Sequence, residues 1–311
     1  MHSVKVAIFA NLTVCILKFI IGFLGGSASM LAEAIHSAAD TANQALLLVG
    51  LMRSKIGPSK EHPFGRGQER FVWGLISACG IFFVGAGVTI YHGIITLIHK
   101  HRPEINEWTF AVLGFAFIAE GYSFYVATQQ HKKGDTANLA VLLEDGAALL
   151  GLLIAAIAIV LTRFTGELYW DSIGSIIVGI ILGVIAIILI KENLEYLIER
   201  ASPEELQKEV RKEIEKFPLV EEIKDIRMII ITPDSHYVRA EVELNGYLLV
   251  REMEDSLRED FEAVHDFGDF LQFCAAFANR VTRTVGAKID EMEEILMKKI
   301  TYLKHVDIKP S

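Results

Sequence analysis

The stretch Ser27–Gln44, SASMLAEAIHSAADTANQ, runs without a break into Ala45–Met52, ALLLVGLM. Together they read as one helix long enough to cross a bilayer, which takes roughly 20 mostly apolar residues. That helix nevertheless carries Glu33, His36 and Asp40. His36 and Asp40 are four residues apart and Glu33 lies three before His36, so all three project from one side. A carboxylate in hydrocarbon is costly unless it meets a partner, a metal or water. An imidazole and a carboxylate one turn apart form half of a tetrahedral site for a divalent cation. They also suit a buried polar pair that pins helix packing, and the rest of the chain bears on which reading holds.

Outward from this helix, five more segments have membrane-spanning length, giving six in all: 4–25, 30–52, 71–98, 108–129, 137–161 and 172–190. With 52% hydrophobic residues and a mean hydropathy of +0.37, the chain is too apolar for an ordinary soluble protein of 311 residues. The first helix lacks a small-residue cleavage site and reads as a retained span. Lys18 and Glu120, inside the first and fourth segments, read as structural groups that pair across helices or reach an interface. Arg53, Lys55, Lys60, Arg66 and Arg70 follow the second segment, and Lys132 and Lys133 follow the fourth. The opposite loops hold Lys100, Arg102 and Arg163. The positive-inside rule puts the richer side, and hence both termini, in the cytoplasm.

Charge crowds into the last third. From Glu199 onward there are about 25 acidic and 17 basic side chains, most of the net charge of −9. An acidic tail argues against nucleic acid and suits a cation or a cytosolic partner. Ser202 as N-cap, Pro203 and Glu205 predict a helix to about Lys216. Residues 223–232 and 237–244 read as strands around a Pro233–Asp234–Ser235 turn. A charged and aromatic helical stretch, 249–284, carries Phe261, Phe267, Phe270, Phe273 and Phe277, which read as core or dimer contact. A separate helix over 289–300 and a strand over 302–308 complete the tail. The predicted fold is a polytopic α-helical membrane protein. Six transmembrane helices occupy 1–198, and a cytoplasmic α+β domain of α-β-β-α-β, ferredoxin-like order occupies 199–311, with the helical insertion at 249–284. Cys15, Cys79 and Cys274 are scattered and suggest neither a disulfide framework nor a thiolate site.

The fifth segment complements the second. Val141-Leu142-Leu143-Glu144-Asp145 sets two adjacent carboxylates at membrane depth, followed by small residues that let helices approach. Adjacent side chains project about 100° apart, so one of the pair faces His36 and Asp40 most easily, and Asp145 is the first choice. Glu144 is then a supporting group, a proton acceptor, a fourth ligand, or simply a carboxylate facing a polar cleft.

With LAEAIHSAAD in the second segment and EHPFGRGQER at Glu61–Arg70, the chain resembles the cation diffusion facilitator family of metal/proton antiporters. VLLEDGAALLG, EGYS at Glu120–Ser123 and HVDI at His305–Ile308 look most like its zinc transporter nine branch. The resemblance implies a transport site of His36, Asp40 and Asp145 between the second and fifth helices. The family's position four before the fifth-helix aspartate, usually His or Asp, is Val141 here, so Glu144, Glu33, Asn43 or water completes the shell. It also implies a divalent metal as substrate, Zn2+ first, exchanged for protons, with Mn2+, Fe2+ or Co2+ as alternatives for an oxygen-rich site. A homodimer joined partly through the tail, in the cell membrane, is expected. His305 and Asp307 resemble a regulatory metal pair of the family's cytoplasmic domain, needing a third ligand from His236 or His265. His62 reads as part of the HPFG turn. No GxxxxGK loop is present, and HSAAD lacks the glutamate of a metallohydrolase HExxH pair. A metal sensor or scaffold without transport is the remaining rival.

Overall fold

The computed structural model describes residues 2–25, 28–99, 107–130, 135–165, 167 and 169–311. Some side chains within these ranges fall outside the description, among them those of Lys18, Glu33, His36 and Arg163. Of the residues read from sequence, Lys100, His101, Arg102, Lys132 and Lys133 also lie outside it. The chain divides into two compact units, Met1–Ile198 and Glu199–Ser311.

Among the described residues the regular elements of the first unit are helices: α1 (His2–Gly25), α2 (Ala28–Arg53), α3 (Glu69–Gly80), α4 (Thr89–His99), α5 (Glu107–Gln130), α6 (Thr136–Thr165) and α7 (Tyr169–Leu197). A π-helical segment, Ile81–Val88, joins α3 to α4 without a break. Among the described residues, three stretches are long and apolar enough to cross a membrane: Glu69–Ile98, Thr136–Ile154 and Ser172–Leu197. The core of this unit is small-residue and aliphatic, built from Val4, Ala7, Leu47, Ala78, Val141 and Leu189 among others. Small side chains let helix backbones approach closely, and Phe71 of α3 stacks on Tyr196 of α7 at 4.7 Å.

The α2–α3 connection carries the HPFG turn. The backbone carbonyl of His62 accepts from the amides of Ser59 and Gly65, and Arg66 N donates to Ile56 O. Gly65 has φ +79°, where a side chain is strained, and a methyl group there would come within 3.2 Å of Ile56 O. Glu69 pairs with Arg53 and Arg66, and Arg70 reaches Asp135 at 2.8 Å. Asp135 in turn accepts from Asn138 N, so it caps α6 while anchoring Arg70.

The second unit contains α8 (Glu204–Ile214), β1 (Val220–Thr232), β2 (Ser235–Leu244), α9 (Gly246–Glu252), α10 (Glu254–Glu262), α11 (Phe267–Lys299) and β3 (Leu303–Pro310). The sheet order is β1-β2-β3, with β2 antiparallel to β1 and parallel to β3. Val210 and Ile214 of α8 and Met292 and Leu296 of α11 pack with Val238, Ala240, Val242, Leu303 and Ile308 of the sheet. A parallel pair needs a long crossover, and α9 to α11 supply it.

Three sequence expectations are corrected here. Ser202 does not cap α8: the cap position is Pro203, and the Ser202 hydroxyl is buried against His236 Nδ1 at 2.8 Å. The 249–284 stretch is not one helix but α9, α10 and the first half of α11, because Asn245 and an Asp266–Asp269 capping box each start a new helix. No break separates Thr284 from Ile289. Gly286 is exposed, so its weak helix propensity costs only about 1 kcal/mol. Val281 and Val285 meanwhile pack beside Leu249 and Met253 and keep α11 in register.

Candidate metal-transport site

The polar stripe of α2 continues past Asp40. Ser37, Asn43 and Gln44 are all buried, Gln44 completely. Their helix packs on α3, where Ser77 Oγ donates to Asn43 O at 3.3 Å. A methyl group on Gly80 would stand 2.7 Å from Asn43 Oδ1, so the absence of a side chain there makes room for the asparagine. The π-helical segment begins at the next residue, and such segments recur at functional sites because they re-aim a helix locally.

Helix α6 brings Glu144 and Asp145 to this stripe, exposed by only 7% and 2%. Asp40 interacts electrostatically with both carboxylates, and Asn43 and Gln44 lie against Glu144. Ser123 of α5, fully buried, lies against Asp145. The buried Glu144 and Asp145 are edged by the amides of Asn43 and Gln44 and the hydroxyl of Ser123, and both feel the charge of Asp40. Among the described residues neither oxygen of Glu144, nor Oδ2 of Asp145, nor either polar atom of the Gln44 side chain has a hydrogen-bond partner. Orphaned polar atoms at that density are rare in a buried setting unless a ligand or water supplies the partner.

The backbone of His36 lies in α2 one turn before Asp40, while its side chain and that of Glu33 are outside the described residues. Among the described residues no three His, Cys, Asp or Glu side chains form a group able to hold an ion. Val141 is fully buried in the aliphatic core beside Leu47 and Ala78, so the position four before Asp145 packs rather than ligates. Glu120 sits one turn before Ser123 on α5 and is partly buried. Gln44 and Ser123 are the two neighbours that reading by residue type passed over. The one signal for Gln44 was its spacing, four after Asp40 and eight after His36 on the same face.

In the second unit, His305 and Asp307 share a face of β3, opposite Tyr237 and Arg239 of β2. Tyr237 donates to Asp307 Oδ2 at 3.3 Å, and Lys309 lies 3.6 Å from the same oxygen. Burial lowers the His305 imidazole below the ordinary histidine range. His236 cannot complete this pair, because it precedes Tyr237 on β2 and points to the other face, into Ser202 and the Tyr302 ring. His265 is exposed in the α10–α11 turn, with Nδ1 3.0 Å from Ala263 O. The imidazole of His62 is exposed and its backbone makes the turn, in keeping with a structural role.

The chain thus pairs a helical unit that buries two adjacent carboxylates on α6 with a small α+β unit. Residues 4–198 match the family model described as the cation efflux transmembrane domain. The chain belongs to the cation efflux, or cation diffusion facilitator, family, and is an integral membrane protein. Within the family it falls in the zinc transporter nine-like branch. It is 36% identical to metal tolerance protein C4 of Arabidopsis thaliana, over 99% of this chain and 73% of that protein. It is 34% identical to the mitochondrial proton-coupled zinc antiporter SLC30A9 of Mus musculus, over 98% of this chain and 58% of the relative. The manganese efflux system protein MneP of Bacillus subtilis (strain 168) is 26% identical over 84% of this chain and 92% of its own length. The chain thus spans less than two thirds of the mouse relative.

Proposed function

We propose that this chain is a secondary transporter, not an enzyme, that exports a divalent metal cation, Zn2+ first, in exchange for protons. The observation that carries this reading is the pair of adjacent buried carboxylates, Glu144 and Asp145 on α6, within electrostatic reach of Asp40 on α2. Two carboxylates buried in a low-dielectric interior within reach of a third repel one another and lack solvation. A divalent cation relieves both penalties, and so does protonation. Metal and proton therefore compete for the same oxygens, which is the physical basis of exchange.

His36, Asp40 and Asp145 are the proposed ligands, with Glu144 as the fourth group. One imidazole with carboxylates suits zinc, and a carboxylate-bound metal can be released when protons arrive. All six long helical segments of residues 1–198 span the membrane in this reading, with both termini cytoplasmic. Residues 199–311 form a cytoplasmic domain through which two copies associate. The cell membrane is the assigned location. The mouse relative is mitochondrial by name, so fractionation against inner-membrane markers is the relevant check.

A second reading, manganese as the cargo, is favoured by the excess of oxygen over nitrogen donors and by the likeness to the Bacillus manganese efflux protein. The deciding experiment is metal flux in proteoliposomes under an imposed proton gradient, with Zn2+ and Mn2+ compared. Wild type should move metal only with the gradient, and Asp40→Ala and Asp145→Ala should be inactive. Wild-type binding of Zn2+ with no flux of either metal would replace transport by sensing.

A further inference from the structure

Gln44 is a polar side chain sealed inside the protein with nothing yet assigned to it. It is completely buried, and among the described residues neither Oε1 nor Nε2 has a hydrogen-bond partner. An unpaired buried amide costs roughly 1–3 kcal/mol. Such a group is retained where something else meets it. It lies on α2 one turn beyond Asp40, and it stands against Glu144, whose two oxygens also lack partners among the described residues. On α6, the position four before Asp145 holds the buried aliphatic Val141 and supplies no donor.

We propose that Gln44 is a specificity-determining residue of the transport site. Its carboxamide oxygen supplies a neutral, hard donor to the cation, and its amide NH2 holds Glu144 in place. The inference rests on the site proposed above and extends it. A neutral oxygen adds coordination without a further negative charge, so the ion is held less tightly than by another carboxylate and leaves more easily. Hard oxygen donors also favour Mn2+ relative to an all-imidazole or thiolate shell.

The test is the concentration dependence of Zn2+ transport in proteoliposomes for wild type, Gln44→Met and Gln44→Glu, with Mn2+ as competitor. Methionine matches the volume and removes the amide, so KM for Zn2+ should rise about tenfold, as for loss of a group that supports metal ligands, and Mn2+ should compete less well. Glutamate keeps the oxygen and adds charge, so KM should fall while kcat also falls, because release slows. Opposite KM shifts in the two variants are the signature. A packing role alone would lower kcat in both and leave KM unchanged, which would overturn the inference. Should Gln44→Met not survive purification as a monodisperse protein, Gln44→Glu with its KM and kcat decides alone. Asp40→Ala and Asp145→Ala run in the same vesicles separate the two levels. If both transport normally, the site itself is wrong. If both are inactive while the Gln44 variants keep the wild-type KM, only the role of Gln44 falls.

Discussion

The two units treat buried polar groups in opposite ways. In the unit 199–311, the buried His236 meets the buried Ser202 Oγ, and the partly buried Glu213 and Glu293 are likewise paired, the first with Lys216 and Lys299, the second with the amide of Ile308. In the unit 1–198 lie all the described buried side-chain atoms without a partner, and they include Gln44, Ser123, Glu144 and Asp145 in one neighbourhood. Folding explains the first pattern, since an unpaired buried polar group costs stability. The second pattern is what a cation pathway requires, because groups already paired with one another are not available to a passing ion.

Several changes would break or sharpen that contrast. The largest effect should come from Asp40→Ala or Asp145→Ala, each lowering the initial metal flux at least a hundredfold, on the order expected when a ligand shared by binding and release is removed. Flux within tenfold of wild type for either variant would mean that the buried carboxylates are not the pathway. Next, Gly80→Val should reduce transport while leaving the unit 199–311 intact, because its side chain must displace Asn43, 2.7 Å from the nearest added atom. Unchanged flux would separate Asn43 from the site.

In the unit 199–311 the expected effects are on stability. Ser202→Ala strands a buried ring nitrogen and should cost about 1–3 kcal/mol, read as faster hydrogen exchange in β1 and β2, with no change in metal KM. The pH dependence of the same exchange tests the histidine directly. Burial holds the His236 imidazole below its ordinary range, opposed only by nearby Asp234. Above about pH 6.5 folded and unfolded chains both carry it neutral. As pH falls through that value the unfolded chain binds the proton first, so protection in β2 should decline until the lower folded value is passed. His236→Gln should flatten that decline. The smallest effect belongs to Phe267→Ala. Phe267 is 72% exposed, whereas Phe277 packs beside Leu249 and Met253, so the first change should stay within about 0.5 kcal/mol and Phe277→Ala should exceed it severalfold.

The aromatic run itself shows how far a one-dimensional pattern reaches. Phe267, Phe270, Phe273 and Phe277 form a stacked series along α11 with centroids 6.0 to 6.4 Å apart, as helical spacing demands. Among the described residues Phe277 packs beside Leu249 and Met253 while Phe267 and Phe270 stay exposed, and no local signal distinguishes one end from the other. Val141 teaches the same lesson in the membrane unit. Its spacing from Asp145 marks a ligand position, but the side chain there can only pack.

What the amino-acid order determined by itself was whatever depends on neighbours in sequence. The helices before Ile198 follow from long apolar runs, the β1–β2 hairpin from alternation around Pro233–Asp234, and the shared face of His36, Asp40 and Gln44 from the helical repeat. What only the tertiary structure decided depends on residues far apart in the chain. It buried Glu144 and Asp145 within electrostatic reach of Asp40, turned Ser202 from a helix cap into the partner of His236, carried α11 unbroken through Gly286, and sealed Gln44 beside Glu144. Periodicity fixes the direction of a side chain relative to its own helix or strand, while burial and pairing depend on which other element arrives opposite it.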